Sequence, residues 1–187
     1  MSLDKLASLT PERWARLAEN PAEYPFASDP RFACETQVRA PLEEVWAFFR
    51  QPRNVRELSP TGLGMNVVEG NGDGPVRAGE NVTYALKVFG VPQLWHAYFP
   101  WTWETDQRAG FIDIRTGGVF RRWCHFHSFA RLAGGGTRLV DELRWSLPFV
   151  RPVAFAGNLV VEQQVRAMFR YRTRRLDELF GLVRSSS

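Results

Sequence analysis

The sequence predicts an α+β fold in which an antiparallel sheet is covered by one long C-terminal helix. Three observations carry this expectation. Phe120 to Phe149 reads as a β-hairpin, because two runs of period-two alternation flank Gly134-Gly135-Gly136. Upstream, Phe32 to Ala40, Met65 to Glu69, Asn81 to Phe89, Gln93 to Glu104 and Phe111 to Thr116 read as further strands, most of them bounded by Gly, Pro, Asn or Asp turn signals. From Leu159 to about Val183, apolar residues including Val161, Val165, Met168, Phe169, Leu176 and Leu179 recur at helical spacing. That helix would be roughly 36 Å long at 1.5 Å per residue. One apolar stripe of that length needs a large surface, and the apolar face of the sheet supplies it.

Residues 1 to 30 read as an extension with short helices, and residues 31 to 184 as the main domain. Leu3, Leu6 and Leu9 share a helical face. Thr10-Pro11-Glu12 reads as a cap with Pro in the first helical position. Asn20-Pro21, Tyr24-Pro25 and Asp29-Pro30 stop any helix. Trp14 and Phe26 are expected to dock this arm on the main body. After the first strand, Pro41 opens a short helix bearing Val45, Trp46, Phe48 and Phe49, with Glu43 and Glu44 at its positive end. Gln51-Pro52 stops it, and Val55 to Leu58 forms a second short turn. Asn71-Gly72-Asp73-Gly74-Pro75 and Gly90-Val91-Pro92 are turns. Trp95, Ala97, Phe99, Trp101 and Trp103 share a face, and Pro100 signals a bulge or an edge position in that strand. Pro148 and Pro152 bend the chain after the hairpin, Gly157-Asn158 caps the last helix, and Ser185 to Ser187 is expected to be disordered.

The 187 residues suffice for one domain, and the 44% hydrophobic and 24% charged fractions are those of a soluble globular protein. The aromatic fraction of 13%, with seven Trp, suits either a core or a cavity wall. The net charge of +4 is nearly all Arg, but 20 acidic residues are interspersed, which argues against a nucleic-acid face. Cys34 and Cys124 lack metal-motif spacing and read as buried free thiols. Neither a secretory leader nor an integral membrane span is evident, so a cytoplasmic location is expected. Phosphate loops, dinucleotide fingerprints and Gly-x-Ser-x-Gly elbows are missing from the sequence.

Alternation assigns faces in the hairpin. Trp123, His125, His127 and Phe129 share one face of its first strand; Arg122, Cys124, Phe126 and Ser128 take the other. Leu139, Asp141, Leu143, Trp145 and Leu147 share a face of the second strand, and Arg138, Val140, Glu142 and Arg144 read as its solvent face. A three-residue loop near Gly134 places Phe129 opposite Leu139, His127 opposite Asp141 and Trp123 opposite Trp145. A one-residue slip would turn the histidines outward. His125, His127 and Asp141 supply only three metal-ligand candidates, and no metal is expected. Asp141 either satisfies a buried histidine, or holds His127 as a general base, or joins both histidines in orienting a ligand. Arg172 lies in the apolar stripe of the last helix, where it would bind an anionic group or pair with Asp113 or Asp141. Arg166, Arg170, Arg174 and Arg175 read as a solvated face.

The order of elements, with Ala40-Pro41-Leu42-Glu43-Glu44-Val45-Trp46, Trp123-x-His125-x-His127-x-Phe129, Gly135-Gly136-Thr137-x-Leu139-x-Asp141-Glu142 and Met168-Phe169-x-Tyr171-Arg172-x-Arg174-x-Leu176, resembles the SRPBCC superfamily. That superfamily includes START domains, birch-pollen-type allergens and polyketide cyclases. The resemblance spans about Phe32 to Val183 and leaves the first 30 residues uncovered. It implies a helix-grip fold, a curved sheet around the long helix, with a cavity between them and no cofactor. The expected ligand is a small hydrophobic or aromatic molecule, lipids included, bound by a monomer or homodimer. Tyr84, Trp95, Trp101, Trp123, Trp145 and Met168 are the expected walls, and His125, His127, Asp141 and Arg172 the polar anchors. Two alternatives stay open. One is a cyclase, aromatase or dehydratase in which His127 and Asp141 move protons; the other is a protein-interaction module.

Overall fold

Seven strands form one antiparallel sheet in the computed structural model, which describes residues 6, 8–88, 90–115, 119–149 and 151–183. They are β1 (Arg31–Val38), β2 (Asn66–Gly70), β3 (Glu80–Val88), β4 (Val91–Glu104), β5 (Arg108–Arg115), β6 (Arg122–Arg131) and β7 (Thr137–Ser146). Their order across the sheet is β1-β7-β6-β5-β4-β3-β2. Helix α1 (Pro11–Glu19) precedes the sheet, α2 (Leu42–Phe49) follows β1, and α3 (Arg151–Phe180) closes the chain. Short 3₁₀ turns at Pro52–Leu58 and Thr61–Leu63 complete the crossover from β1 to β2 at the opposite edge.

Local chemistry sets most boundaries. Thr10 caps α1 with Pro11 at its start. Pro41 stands at the N-cap of α2, with Glu43 and Glu44 in the first turn. Helix α3 ends where Gly181 takes φ +66°, so that its N–H and that of Leu182 bond back to Asp177. The chain then pairs Val38 with Leu182 and extends the sheet edge beyond β1.

The hairpin register is the expected one: Phe129 faces Leu139, His127 faces Asp141 and Trp123 faces Trp145. The bond from Leu132 N–H to the Gly136 carbonyl closes a three-residue loop, in which Gly135 takes φ +90°. Other boundaries depart from expectation. Helix α3 begins at Arg151, not at the Gly157-Asn158 cap, because Pro152 is tolerated in a first helical turn. Strand β4 begins at Val91, inside the expected turn, and β5 begins at Arg108. The helical face expected at Leu3, the strand ends at Phe89 and Thr116, the Gly117-Gly118 turn and the Ser185 to Ser187 tail fall outside the described residues.

Both faces of the sheet are covered. The concave face packs on α2 and α3 through Val45, Trp46, Phe49, Val161, Val165, Phe169 and Leu176. The convex face carries Ile112, Ile114, Cys124 and Phe126 and is covered by Leu6, Trp14, Leu17, Tyr24 and Phe26. Trp14 and Phe26 thus dock the arm as expected. This cover overturns the solvent-face reading of β7 at Glu142 and Arg144, which are buried, while Arg138 is exposed as expected. Arg144 bonds Glu142 at 2.7 Å and lies over the Tyr24 ring; Arg31 bonds the other Glu142 oxygen. A buried Arg122–Asp29 pair, 2.8 Å from Nε to Oδ2, pins the end of the arm. Among the described residues no helix is long and apolar enough to cross a membrane.

Candidate functional site

A cavity of about 510 Å³ lies between the concave sheet and α3. Phe48, Phe49, Val55 and Leu58 wall it from α2 and the following turn, and Val161, Val165 and Met168 wall it from α3. Tyr84, Leu86, Trp95, Phe99 and Phe111 line it from the sheet. At one end Trp95, Phe120 and Trp123 cluster, with Trp95 and Trp123 edge to face at 5.0 Å. The guanidinium of the buried Arg115 lies over Trp95 at 4.2 Å. Its Nε and Nη1 have no partner among the described residues, and burial pulls its pKa down.

The polar wall is built by register. His125 and His127 both point inward from β6. On one side β5 sets Asp113 opposite His125, and on the other β7 sets Asp141 opposite His127. Two carboxylates therefore bracket two imidazoles that lie 3.7 Å apart between centroids with their planes tilted by 42°. Asp113 Oδ2 lies 3.1 Å from His127 Nε2 and 3.9 Å from His125 Nδ1. Asp141 Oδ1 lies 2.8 Å from His127 Nδ1 and 3.2 Å from His125 Nε2. From α3, Arg172 brings Nη2 to 3.2 Å from the same Asp141 oxygen. Its guanidinium is packed over the Phe49 and Phe169 rings.

Charge is distributed unevenly over this wall. Burial, and then the neighbouring His127, push His125 down to about 4, so it is neutral. Burial also pulls on His127, but Asp113 and Asp141 outweigh it and hold this imidazole above its usual value. Burial pushes Asp141 up, but Arg172 and both histidines outweigh it and hold the carboxyl well below its usual range. The donor atoms of Asp113, His125 and His127 lie within 4.8 Å of one another.

Of the ten residues expected at the site, Tyr84, Trp95, Trp123, His125, His127, Met168 and Arg172 line the cavity. Asp141 stands behind the histidines in the same cluster. Trp145 is core: it is buried and its Nε1–H donates to Asn158 Oδ1 at 3.2 Å. Trp101 sits on the convex face against the arm cluster, as does Trp103. A bulge between Tyr98 and Trp101 inserts one residue and inverts the alternation. Asp113, anticipated only as a partner for Arg172, meets the histidines instead. The signal for it was a lone carboxylate alternating with Phe111 and Arg115 on a strand whose middle is otherwise apolar.

Neither a family model nor a curated protein matches the sequence. Solved structures do resemble the chain in fold. A START superfamily protein from Mycobacterium smegmatis superposes with a TM-score of 0.58 at 12% identity, covering 80% of this chain and 98% of that one. The protein Ms6760 from Mycobacterium smegmatis gives 0.58 at 17% identity, covering 84% and 92%. Ara h 8.0201 gives 0.50 at 13% identity, covering 77% and 95%.

Proposed function

Starting from the START-like helix-grip fold of this chain, we propose that it binds one small, largely apolar molecule, aromatic or lipid-like, between sheet and helix, as a carrier or sensor. The observation that carries this reading is the cavity of about 510 Å³ where the sheet and α3 would otherwise pack together. Protein interiors are close-packed, and voids beyond the size of a water are few. An apolar pocket of this volume with a few convergent polar groups is what a small-molecule site requires. The wall also carries the buried polar side chains His125, His127 and Arg172, which suit a ligand with a polar end.

The test combines native mass spectrometry of the purified protein with titration of a fluorescent fatty-acid analogue. Quenching of Trp95 and Trp123 emission reports occupancy. Val165→Phe fills the cavity from α3 without adding a polar group. We expect one probe per chain, and at least about a tenfold loss of affinity in Val165→Phe, equivalent to about 1.4 kcal/mol. A folded Val165→Phe protein that binds the probe as tightly as the parent would overturn the reading. So would a parent protein that neither retains a ligand nor takes up the probe.

A further inference from the structure

We propose that Asp113, His125 and His127 form a site for one divalent first-row transition ion. In this site Asp141 orients both imidazoles from behind, and the open coordination positions face the cavity. The sequence alone pointed to no metal, because it offered only three candidates, His125, His127 and Asp141, in an uncertain register. The structure places a further donor, Asp113, on the other flank of β6.

Three features of the cluster carry the inference. The first is convergence: the donor atoms lie within 4.8 Å of one another, and Asp113 Oδ2 is already 3.1 Å from His127 Nε2. Ligands held about 2.1 Å from one ion lie roughly 3.0–3.4 Å apart, so that edge needs no change, whereas the 3.9 Å between Asp113 Oδ2 and His125 Nδ1 must shorten by about half an ångström. The second is the back side. Each imidazole turns one nitrogen toward Asp113 and the other toward Asp141 Oδ1, at 2.8 Å for His127 and 3.2 Å for His125. A histidine that ligates a metal donates its remaining N–H to a carboxylate, which fixes tautomer and ring orientation. Here Asp141 Oδ1 lies within reach of both rings but is aligned for a hydrogen bond with neither, and His127 Nδ1 lies 3.5 Å from Arg172 Nη2. Arg172 holds that carboxylate from α3. The third is access: Asp113, His125 and His127 line the cavity, whereas Asp141 does not. The ligands are thus open on the side where a small molecule would enter.

The donor set selects the ion. Two imidazoles and one carboxylate suit Fe(II), Zn(II) or Co(II) with open positions, whereas Ca(II) and Mg(II) require mostly oxygen donors. An oxygen-bearing ligand in the cavity would meet the open positions.

The experiment uses the full chain without a histidine tag, stripped with a chelator and titrated with Co(II). The visible d–d absorption of bound Co(II) is the readout, and Zn(II) competition gives the affinity for zinc. We expect one Co(II) per chain, with Zn(II) displacing it and raising the thermal midpoint. Asp113→Asn and His125→Gln should each lower affinity at least about 100-fold, and Asp141→Asn about 10- to 100-fold with a shifted spectrum. Circular dichroism and the urea midpoint show whether each variant is folded. The fatty-acid analogue, titrated into the parent and Val165→Phe, reports the cavity-ligand reading separately, so that either proposal can fail without the other. A Co(II) spectrum no different from that of the free aqua ion overturns the metal site, leaving a charge cluster that packs the wall. Equal Co(II) affinity in parent and in folded Asp113→Asn overturns it as well.

Discussion

At Asp141, one carboxylate oxygen takes contacts from Arg172 and from a nitrogen of each histidine, all within 3.2 Å and all buried. Removing one partner of a buried ion pair leaves the other charge in low dielectric, which costs about 3–5 kcal/mol. Asp141→Ala should therefore lose about that much unfolding free energy, measured by urea denaturation. Arg172→Met should cost less, because Met keeps the apolar stem and the Phe49 and Phe169 contacts while His127 still neutralises part of Asp141. The double variant Asp141→Ala/Arg172→Met should be more stable than the sum of the single losses. Strict additivity would mean that the two side chains do not interact.

Strand β6 shows how much of the site the sequence could reveal. Period-two alternation placed His125 and His127 on one face, and the Gly-rich three-residue loop set the register that brings Asp141 across from His127. These are local rules, and they held. Trp101 was misplaced because one extra residue near Pro100 inverts a strand that otherwise alternates regularly. Asp113 was missed because the order of strands is non-local: nothing within β5 states that β6 lies beside it with this register. Arg144 and Glu142 looked solvated because the cover over them comes from an arm more than a hundred residues away in sequence. Spacing between β5 and β6 gives a further prediction at this scale. Gly110 faces Trp103 across the β4 pairing, and a Cβ there would meet the Trp103 ring and the His127 carbonyl oxygen. Gly110→Ala must displace β6 backbone at the residue that carries the polar wall. Such overpacking costs about 1–3 kcal/mol, and backbone rather than a mobile side-chain tip has to yield, so the upper half of that range is expected. The same urea measurement checks it, and a loss under about 0.5 kcal/mol would mean that Trp103 alone moves.

On the scale of the whole molecule, the sheet has two cores that behave differently. The concave one holds a cavity and the charged wall; the convex one is closed by the N-terminal arm. That closure gives stability a distinct dependence on alkaline pH. Tyr24 is buried against Phe26 and Phe126, with Cys124, Asp29, Arg122 and Arg144 as its ionisable neighbours. Burial first, then the charges of Cys124 and Asp29, push its pKa far above the ordinary 10.0, and burial pushes the Cys124 thiol well above 9.0. In the unfolded chain both groups ionise near their ordinary values, whereas in the folded chain both keep their protons. The unfolded state therefore binds fewer protons above those values, and stability falls as pH rises. The contribution is intact below about pH 9; above it Cys124 removes up to about 1.4 kcal/mol per pH unit, and Tyr24 adds a second such slope above about pH 10. Urea midpoints measured from pH 8 to 11 should show this steepening. Tyr24→Phe should remove its own share of the loss above pH 10, so the variant gains on the parent with each step of pH. The rest of the loss remains, because burial also pushes up the Tyr84 phenol and the thiols of Cys34 and Cys124. If parent and Tyr24→Phe lose stability in parallel up to pH 11, Tyr24 ionises in the folded protein and the arm does not seal the convex face.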